Sequence, residues 1–180
     1  MAEDGGRWVF GYGSLMWRPG FAFVERQAAT LHGRRRAFCI YSVHHRGTYA
    51  RPGLVLGLAP GGAVRGAAYW VSEADWPEVY AYLREREQPT ETYFEAWAKV
   101  RLAGRLAPAL VFLSDIKHPQ WAGDLTLEAQ AALIAGASGL SGRNIDYLRD
   151  LVMHLHEEGI ADRTMEALLA RVEVLEAEAA

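Results

Sequence analysis

Two features of this 180-residue chain carry residue types that can do chemistry. The first is Phe10-Gly11-Tyr12-Gly13-Ser14-Leu15, which continues the apolar run Trp8-Val9-Phe10. Glycine tolerates positive φ and lets a ligand come close to the backbone. A loop with two glycines at a strand end can aim several N–H groups at one point and hold an anion there. The second feature is Glu87. It follows Tyr80 by seven residues and Leu83 by four, so a helix through this segment places it within the apolar stripe of Trp76, Val79, Tyr80 and Leu83. Glu85 falls on the opposite side, where a solvated charge belongs. A carboxylate that faces a core must be paired, hydrogen-bonded or protonated. Burial raises its pKa, which makes a glutamate useful as an acid or base near neutral pH. Periodicity alone leaves this open. Glu87 can equally pair with a buried arginine, or the helix can stop before it, since Pro89 follows closely.

The elements that must position these residues can be read from pattern. Short segments rich in Val, Ile, Tyr, Phe and Trp predict strands at 7–10, 36–43, 54–59, 66–71, 94–102 and 110–114. Ala59-Pro60-Gly61-Gly62 predicts a turn between two of them. One helix interrupts the strands, with Asp75 or Ser72 as its cap, Pro77 in its first turn and Glu78 three residues after Asp75. The last third is helical. Thr126, Asn144 and Asp162 begin three helices, and Gly159 ends the middle one. Strands followed by helices imply an α+β fold rather than a doubly wound sheet, and the strand number suits a mixed or closed barrel.

The bulk properties narrow the function classes. The length suits one domain over residues 1–180, and 51% hydrophobic residues supply a sizeable core. A net charge of -3 offers no electrostatic footprint for nucleic acid or a membrane surface. Cys39 is the single cysteine, so no internal disulfide forms, which fits a reducing cytoplasm. The start, Met1-Ala2-Glu3-Asp4-Gly5-Gly6, is acidic and polar, unlike a secretory signal. The longest uncharged stretch, 52–64, is too short to span a bilayer.

Other residues have plainer readings. The Gly-Tyr-Gly-Ser loop lacks the third glycine of a dinucleotide fingerprint and the Lys-Ser/Thr of a phosphate loop. Cys39, between Phe38 and Ile40, reads as a buried core thiol. His44 and His45 diverge on a strand, and His154 and His156 diverge on a helix, so neither pair suits a metal. Arg34-Arg35-Arg36 reads as a solvated edge. The tryptophans read as core, with Trp17 placed to line a pocket beside the loop.

Taken in order, several segments resemble the γ-glutamylcyclotransferase superfamily. The loop at 10–15 and Leu83-Arg84-Glu85-Arg86-Glu87 about seventy residues later carry the general likeness. His45-Arg46-Gly47-Thr48 with Arg51-Pro52-Gly53, the strand Gly66-Ala67-Ala68-Tyr69, Tyr93 and Trp97, and Ser138-Gly139-Leu140-Ser141-Gly142-Arg143-Asn144 before Asp146-Tyr147-Leu148 point to its ChaC-like, glutathione-specific branch. The likeness runs from about residue 8 to about residue 169. It implies an α+β fold built on a small mixed β-barrel with helices around it and a helical C-terminal third. It also implies a lyase of glutathione catabolism that cleaves this small-molecule substrate to 5-oxoproline and cysteinylglycine, with no cofactor, no metal, no nucleic-acid partner and no membrane.

Residue by residue, the resemblance makes Glu87 the catalytic glutamate. It makes Phe10, Gly11, Tyr12, Gly13, Ser14 and Leu15 the substrate-binding loop, and Tyr93 a downstream aromatic position at the site. Arg46 is a candidate for a substrate carboxylate. His44 stands where many relatives have an acidic residue, so no side-chain contact is carried over to that position. The implied reaction is internal: the α-amine of the γ-glutamyl group attacks its own side-chain carbonyl. No enzyme nucleophile is needed, only orientation and a proton carrier. Two alternatives stay open, a cyclotransferase for other γ-glutamyl amines or dipeptides and a non-catalytic binding or regulatory module.

Overall fold

Residues 5–87 and 91–180 are described by the computed structural model, so the acidic start Met1–Asp4 and Pro89 lie outside the described residues. Five strands close a barrel in the order β1-β3-β2-β4-β5. They are β1 (Gly6–Gly11), β2 (Glu25–Ser42), β3 (Gly53–Ser72), β4 (Tyr93–Leu102) and β5 (Arg105–Ser114). Strand β1 runs antiparallel to β3, from Gly6 opposite Ser72 to Gly11 opposite Ala67. The hairpin β4–β5 is antiparallel through its whole length, from Tyr93–Ser114 to Leu102–Arg105. A short parallel contact, Trp8 with Ala109 and Val9 with Leu110, joins β1 to β5 and makes the barrel mixed.

The strands are longer than their sequence patterns predict. Ala59-Pro60-Gly61-Gly62 is not a turn between two strands but lies inside the single strand β3. Gly61 and Gly62 have φ of 92° and 73°. These left-handed values bend a strand without ending it. The first half of β2 escapes the pattern because it is polar, with only Ala29 and Leu31 buried in alternation.

Helix α1 (Trp76–Glu87) starts where the caps predict. Both candidates take part: the Ser72 Oγ donates to Asp75 Oδ2 at 2.7 Å and accepts from the Asp75 N–H at 3.1 Å. The C-terminal third holds α2 (Leu127–Ile134), α3 (Asn144–Glu157) and α4 (Arg163–Ala179), with a two-residue ladder of β6 (Ser138–Gly139) and β7 (Gly142–Arg143) before α3. Thr126 and Asp162 cap their helices through side-chain oxygens, to Ala129 and Met165. Gly159 takes a φ of 69° just past the end of α3. Among the described residues no helix is long and apolar enough to cross a membrane.

The chain groups into two compact units. One is the described part of Met1–Arg36 with Leu58–Asp115, and the other is Ala37–Gly57 with Ile116–Ala180. In the first, Val9, Val71, Val79, Leu83, Leu110 and Phe112 form a buried cluster between α1 and the sheet. In the second, Asn144 is fully buried at the start of α3. Its Oδ1 accepts from the Leu54 N–H and its Nδ2 donates to the Leu54 carbonyl, both at 2.8 Å. It therefore serves as a side-chain strand partner to β3. Asn144→Ala leaves two buried backbone groups without that partner, at about 1–3 kcal/mol each. The expected result is a lowered urea midpoint, measured by circular dichroism, with the slope m unchanged.

Candidate active site

The loop after β1 is built from buried polar contacts. Tyr12, itself buried, donates from its hydroxyl to the Phe112 carbonyl at 3.0 Å. The Tyr12 carbonyl accepts from Arg36 Nε at 2.9 Å, and Arg36 Nη2 donates to the Arg65 carbonyl at 2.6 Å. The fully buried Tyr69 hydroxyl lies 2.8 Å from the carbonyls of both Leu15 and Met16 and shares its proton between them. Arg26 adds Nη2 to the Met16 carbonyl at 3.3 Å. Residues Ser14–Met16 form one 3-10 turn, closed by Met16 N–H to the Gly13 carbonyl at 2.9 Å. Gly11 must be glycine, since a Cβ there would lie 2.8 Å from Leu15 Cβ. Phe10, Gly11, Tyr12 and Leu15 are buried, whereas Gly13 is half-buried and Ser14 is exposed. The accessible part of the loop is thus Gly13-Ser14.

Helix α1 brings Glu87 to this loop. Leu15 from the loop and Val79 and Leu83 from the helix share the apolar cluster, and Tyr93 from β4 packs against it. Glu87 lies one turn beyond Leu83, and its side chain is only 19% exposed. The neighbouring Arg86 sends Nη2 to Ser14 Oγ at 2.9 Å, and its Nε lies 3.5 Å from Glu87 Oε1. Burial pushes the Glu87 carboxyl above the ordinary glutamate range, and the Arg86 charge offsets part of that rise. Glu85 is exposed, as its place on the helix predicts.

Arg46 lies in the second unit. Its Nη1 donates to the Arg143 carbonyl at 3.2 Å, and its guanidinium lies 5.4 Å from the centre of the Tyr147 ring. Two residues that hold the loop escaped the sequence reading. Arg36 is buried at 7% exposure, not part of a solvated edge. The signal was present: Arg36, Phe38 and Ile40 alternate on one face of a strand. Tyr69 carried no chemical signal beyond its place in an apolar strand.

Comparison with known proteins matches residues 7–175 to the family described as ChaC-like protein. The chain belongs to that family. The glutathione-specific γ-glutamylcyclotransferase of Escherichia coli is 40% identical to this ChaC-like chain over 177 residues, covering 98% of the chain and 77% of the relative. Human glutathione-specific γ-glutamylcyclotransferase 1 is 33% identical over 148 residues, covering 78% and 66%. The crystal structure of a γ-glutamylcyclotransferase specific to glutathione from yeast superposes with a TM-score of 0.83 at 27% identity, over 95% of this chain and 99% of that one. The mixed barrel with its helical C-terminal third is therefore the fold of this family.

The raised Glu87 pKa has a consequence for stability. The folded ChaC-like chain binds the Glu87 proton more tightly than the unfolded chain does. Stability therefore falls as pH rises from the ordinary glutamate value, about 4.3, through the raised folded value, and the loss is complete above it. Glu87→Gln removes this loss. The variant is expected to show a higher urea midpoint than the parent at pH 7.5, with the difference vanishing near pH 4. A lower midpoint at pH 7.5 would mean that the contact with Arg86 outweighs burial.

Proposed function

We propose that this protein is a glutathione-specific γ-glutamylcyclotransferase with Glu87 as its general acid and base. The observation that carries the reading is a partly buried carboxylate of raised pKa, held beside a glycine loop whose backbone is fixed by buried side chains. The names of the E. coli, human and yeast relatives support the substrate.

The chemistry follows from what the substrate lacks. At neutral pH its α-amine is an ammonium ion and has no lone pair to attack with. Glu87, in its ionised form, accepts one proton from it. The amine nitrogen then bonds to the γ-carbonyl carbon and closes a five-membered ring. The carbonyl oxygen becomes an oxyanion. When the carbon–nitrogen bond to the cysteine residue breaks, Glu87 returns its proton to the departing nitrogen, and the second proton that the ring nitrogen sheds on becoming a lactam passes to the same amine, which leaves as an ammonium. The products are 5-oxoproline and cysteinylglycine, and Glu87 ends as it began. A raised pKa suits both halves, because the carboxylate is a better base and its acid form still donates.

The loop supplies orientation. Its accessible tip, Gly13 and Ser14, offers backbone N–H groups to the glutamyl α-carboxylate or to the developing oxyanion. Phe10, Gly11, Tyr12 and Leu15 act through the backbone they fix, since the Tyr12 hydroxyl is already engaged. Well-aligned intramolecular attack is worth roughly 7–11 kcal/mol of barrier. Tyr93 closes the apolar side of the site. The reading assigns no step to Arg46, whose guanidinium contacts the Arg143 carbonyl and the Tyr147 ring. Nucleophile and electrophile belong to one molecule, so the steps as written call for neither metal nor nucleotide. The cytoplasm is the matching compartment, where glutathione is the reduced thiol pool, and the single cysteine, Cys39, is buried.

The test is a product assay with purified protein and glutathione, read by mass spectrometry, with γ-glutamyl-alanine in parallel. 5-Oxoproline and cysteinylglycine from glutathione alone are the expected result. Turnover of γ-glutamyl-alanine instead would keep the mechanism and change the substrate. Glu87→Gln is expected to lower kcat by at least about 10²-fold, the lower range for loss of a general base, while the fold survives. In the parent, kcat/KM is expected to fall on the acid side with a midpoint above the ordinary glutamate value, since only the ionised carboxylate can take the proton. Activity that persists undiminished to pH 4 would remove Glu87 from the mechanism.

A further inference from the structure

Arg86 makes more contacts than its place beside Glu87 requires. Its Nη1 donates to the carbonyls of Arg18 at 2.6 Å and Pro19 at 3.0 Å, and lies 2.9 Å from the Tyr82 hydroxyl. Its Nη2 donates to Ser14 Oγ at 2.9 Å. The guanidinium also lies 5.9 Å from the centre of the Tyr82 ring, and its side chain is only 19% exposed. The three loop acceptors come from one stretch, Ser14 to Pro19, and the fourth from the helix that carries Glu87. A planar fork with five N–H donors can satisfy such a divergent set, but a lysine, with a compact ammonium on a flexible stem, cannot span it.

The neighbours tighten the same joint. Gly20 follows the clamped segment with a φ of 74°, and a Cβ there would lie 2.2 Å from the Tyr82 hydroxyl. Tyr82 therefore packs directly on the backbone that Arg86 holds. The Phe21 ring sits 6.3 Å from the Tyr82 ring and 5.5 Å from the Tyr69 ring. Tyr69 fixes the carbonyls of Leu15 and Met16 at the other end of the turn.

We propose that Arg86 is a positioning residue that locks the Ser14–Pro19 segment to α1, so that the substrate loop and Glu87 move as one body. The proposal rests on the cyclotransferase reading for what the lock serves, not for its existence. With the lock in place, the substrate held by the loop and the carboxylate held by the helix keep a fixed separation. Without it, both groups remain present but drift relative to each other. A misplacement of about 1 Å can cost on the order of 10²-fold in rate. The fork, not the charge alone, does this.

The experiment compares the parent with Arg86→Lys and Arg86→Ala in full-length protein. Two readouts are taken: glutathione turnover, and hydrogen exchange of a peptide covering residues 11–20. Both variants are expected to lose about 10²-fold in kcat/KM, mostly in kcat. Both should show at least tenfold faster exchange at 14–19, with exchange in β4 and β5 unchanged. Guanidinium ion at tens of millimolar is expected to restore part of the turnover of Arg86→Ala, and methylammonium is not. Arg86→Lys keeps length and charge, so it serves as the test if the alanine variant fails to fold. Parent-like turnover in Arg86→Lys would overturn the proposal, because charge would then suffice. Unchanged exchange at 14–19 in a folded variant would also overturn it. If the parent itself does not cleave glutathione, the functional reading fails, and the exchange readout still decides the lock.

Discussion

The carbonyl oxygens of Tyr12, Leu15 and Met16 leave the sheet where the barrel wall is buried, and each must find a donor. A buried backbone carbonyl without one loses about as much as a hydrogen bond is worth. The fold meets this demand with side chains from elsewhere in the first unit: Arg36 for Tyr12, and Tyr69 with Arg26 for Leu15 and Met16. Each donor is anchored on a long strand, so the irregular loop inherits the rigidity of regular structure. That is what lets a loop present Gly13 and Ser14 in one fixed geometry. The antiparallel register of β1 with β3 is part of the same constraint. It sets Val9 opposite Tyr69 and Gly11 opposite Ala67, which brings the Tyr69 hydroxyl to the turn after β1.

The carboxylate of Glu87 works against the fold that holds it. It ends an apolar helical stripe, it is mostly desolvated, and it lies near the C-terminal end of α1, where an anion meets the negative end of the helix dipole. An apolar residue at that position would carry no such desolvation cost. Arg86 relieves some of the cost through its charge, yet at 3.5 Å it is not a close ion pair. Its shorter contacts go to the loop. The geometry leaves the carboxylate basic and keeps the loop fixed, and a tight Arg86–Glu87 pair would have sacrificed the first for the second. Stability given up in this way at one residue is consistent with the acid–base role proposed for Glu87.

How much of this was legible in the sequence depended on whether a signal was local. Helix α1 was legible because its caps and its apolar spacing lie within a dozen residues. Glu87 was legible for the same reason, as a charge in the wrong phase. The glycine loop was legible by composition. The polar half of β2 was not, because one of its faces is solvated and its buried residues are only Ala29 and Leu31. The continuity of β3 was hidden by Pro60-Gly61-Gly62, whose composition serves a turn or a bend equally well. Arg36 was misread because its two arginine neighbours masked its alternation with Phe38 and Ile40. The support of the loop by Tyr69 depends on strand register, which no local pattern encodes.

Glycines at 47, 53 and 139 show why a strong family likeness need not mark chemistry. A Cβ at Gly47 would lie 2.2 Å from the Gly53 nitrogen, and one at Gly139 would lie 2.4 Å from the His44 carbonyl. The loop at 44–53 and the β6–β7 hairpin are joined backbone to backbone, with Leu140 N–H to the His44 carbonyl at 2.8 Å and Ser141 N–H to the His45 carbonyl at 2.9 Å. Two main chains this close exclude side chains between them, so the sequence there is dictated by approach alone. Asn144 completes the joint by imitating a strand partner for Leu54. These segments carried as much of the family resemblance as the loop at 10–15, yet the contacts named here join one part of the second unit to another. In the proposed reading, the pattern passes from architecture to reactivity where a fixed backbone at Gly13-Ser14 meets the partly compensated carboxylate of Glu87.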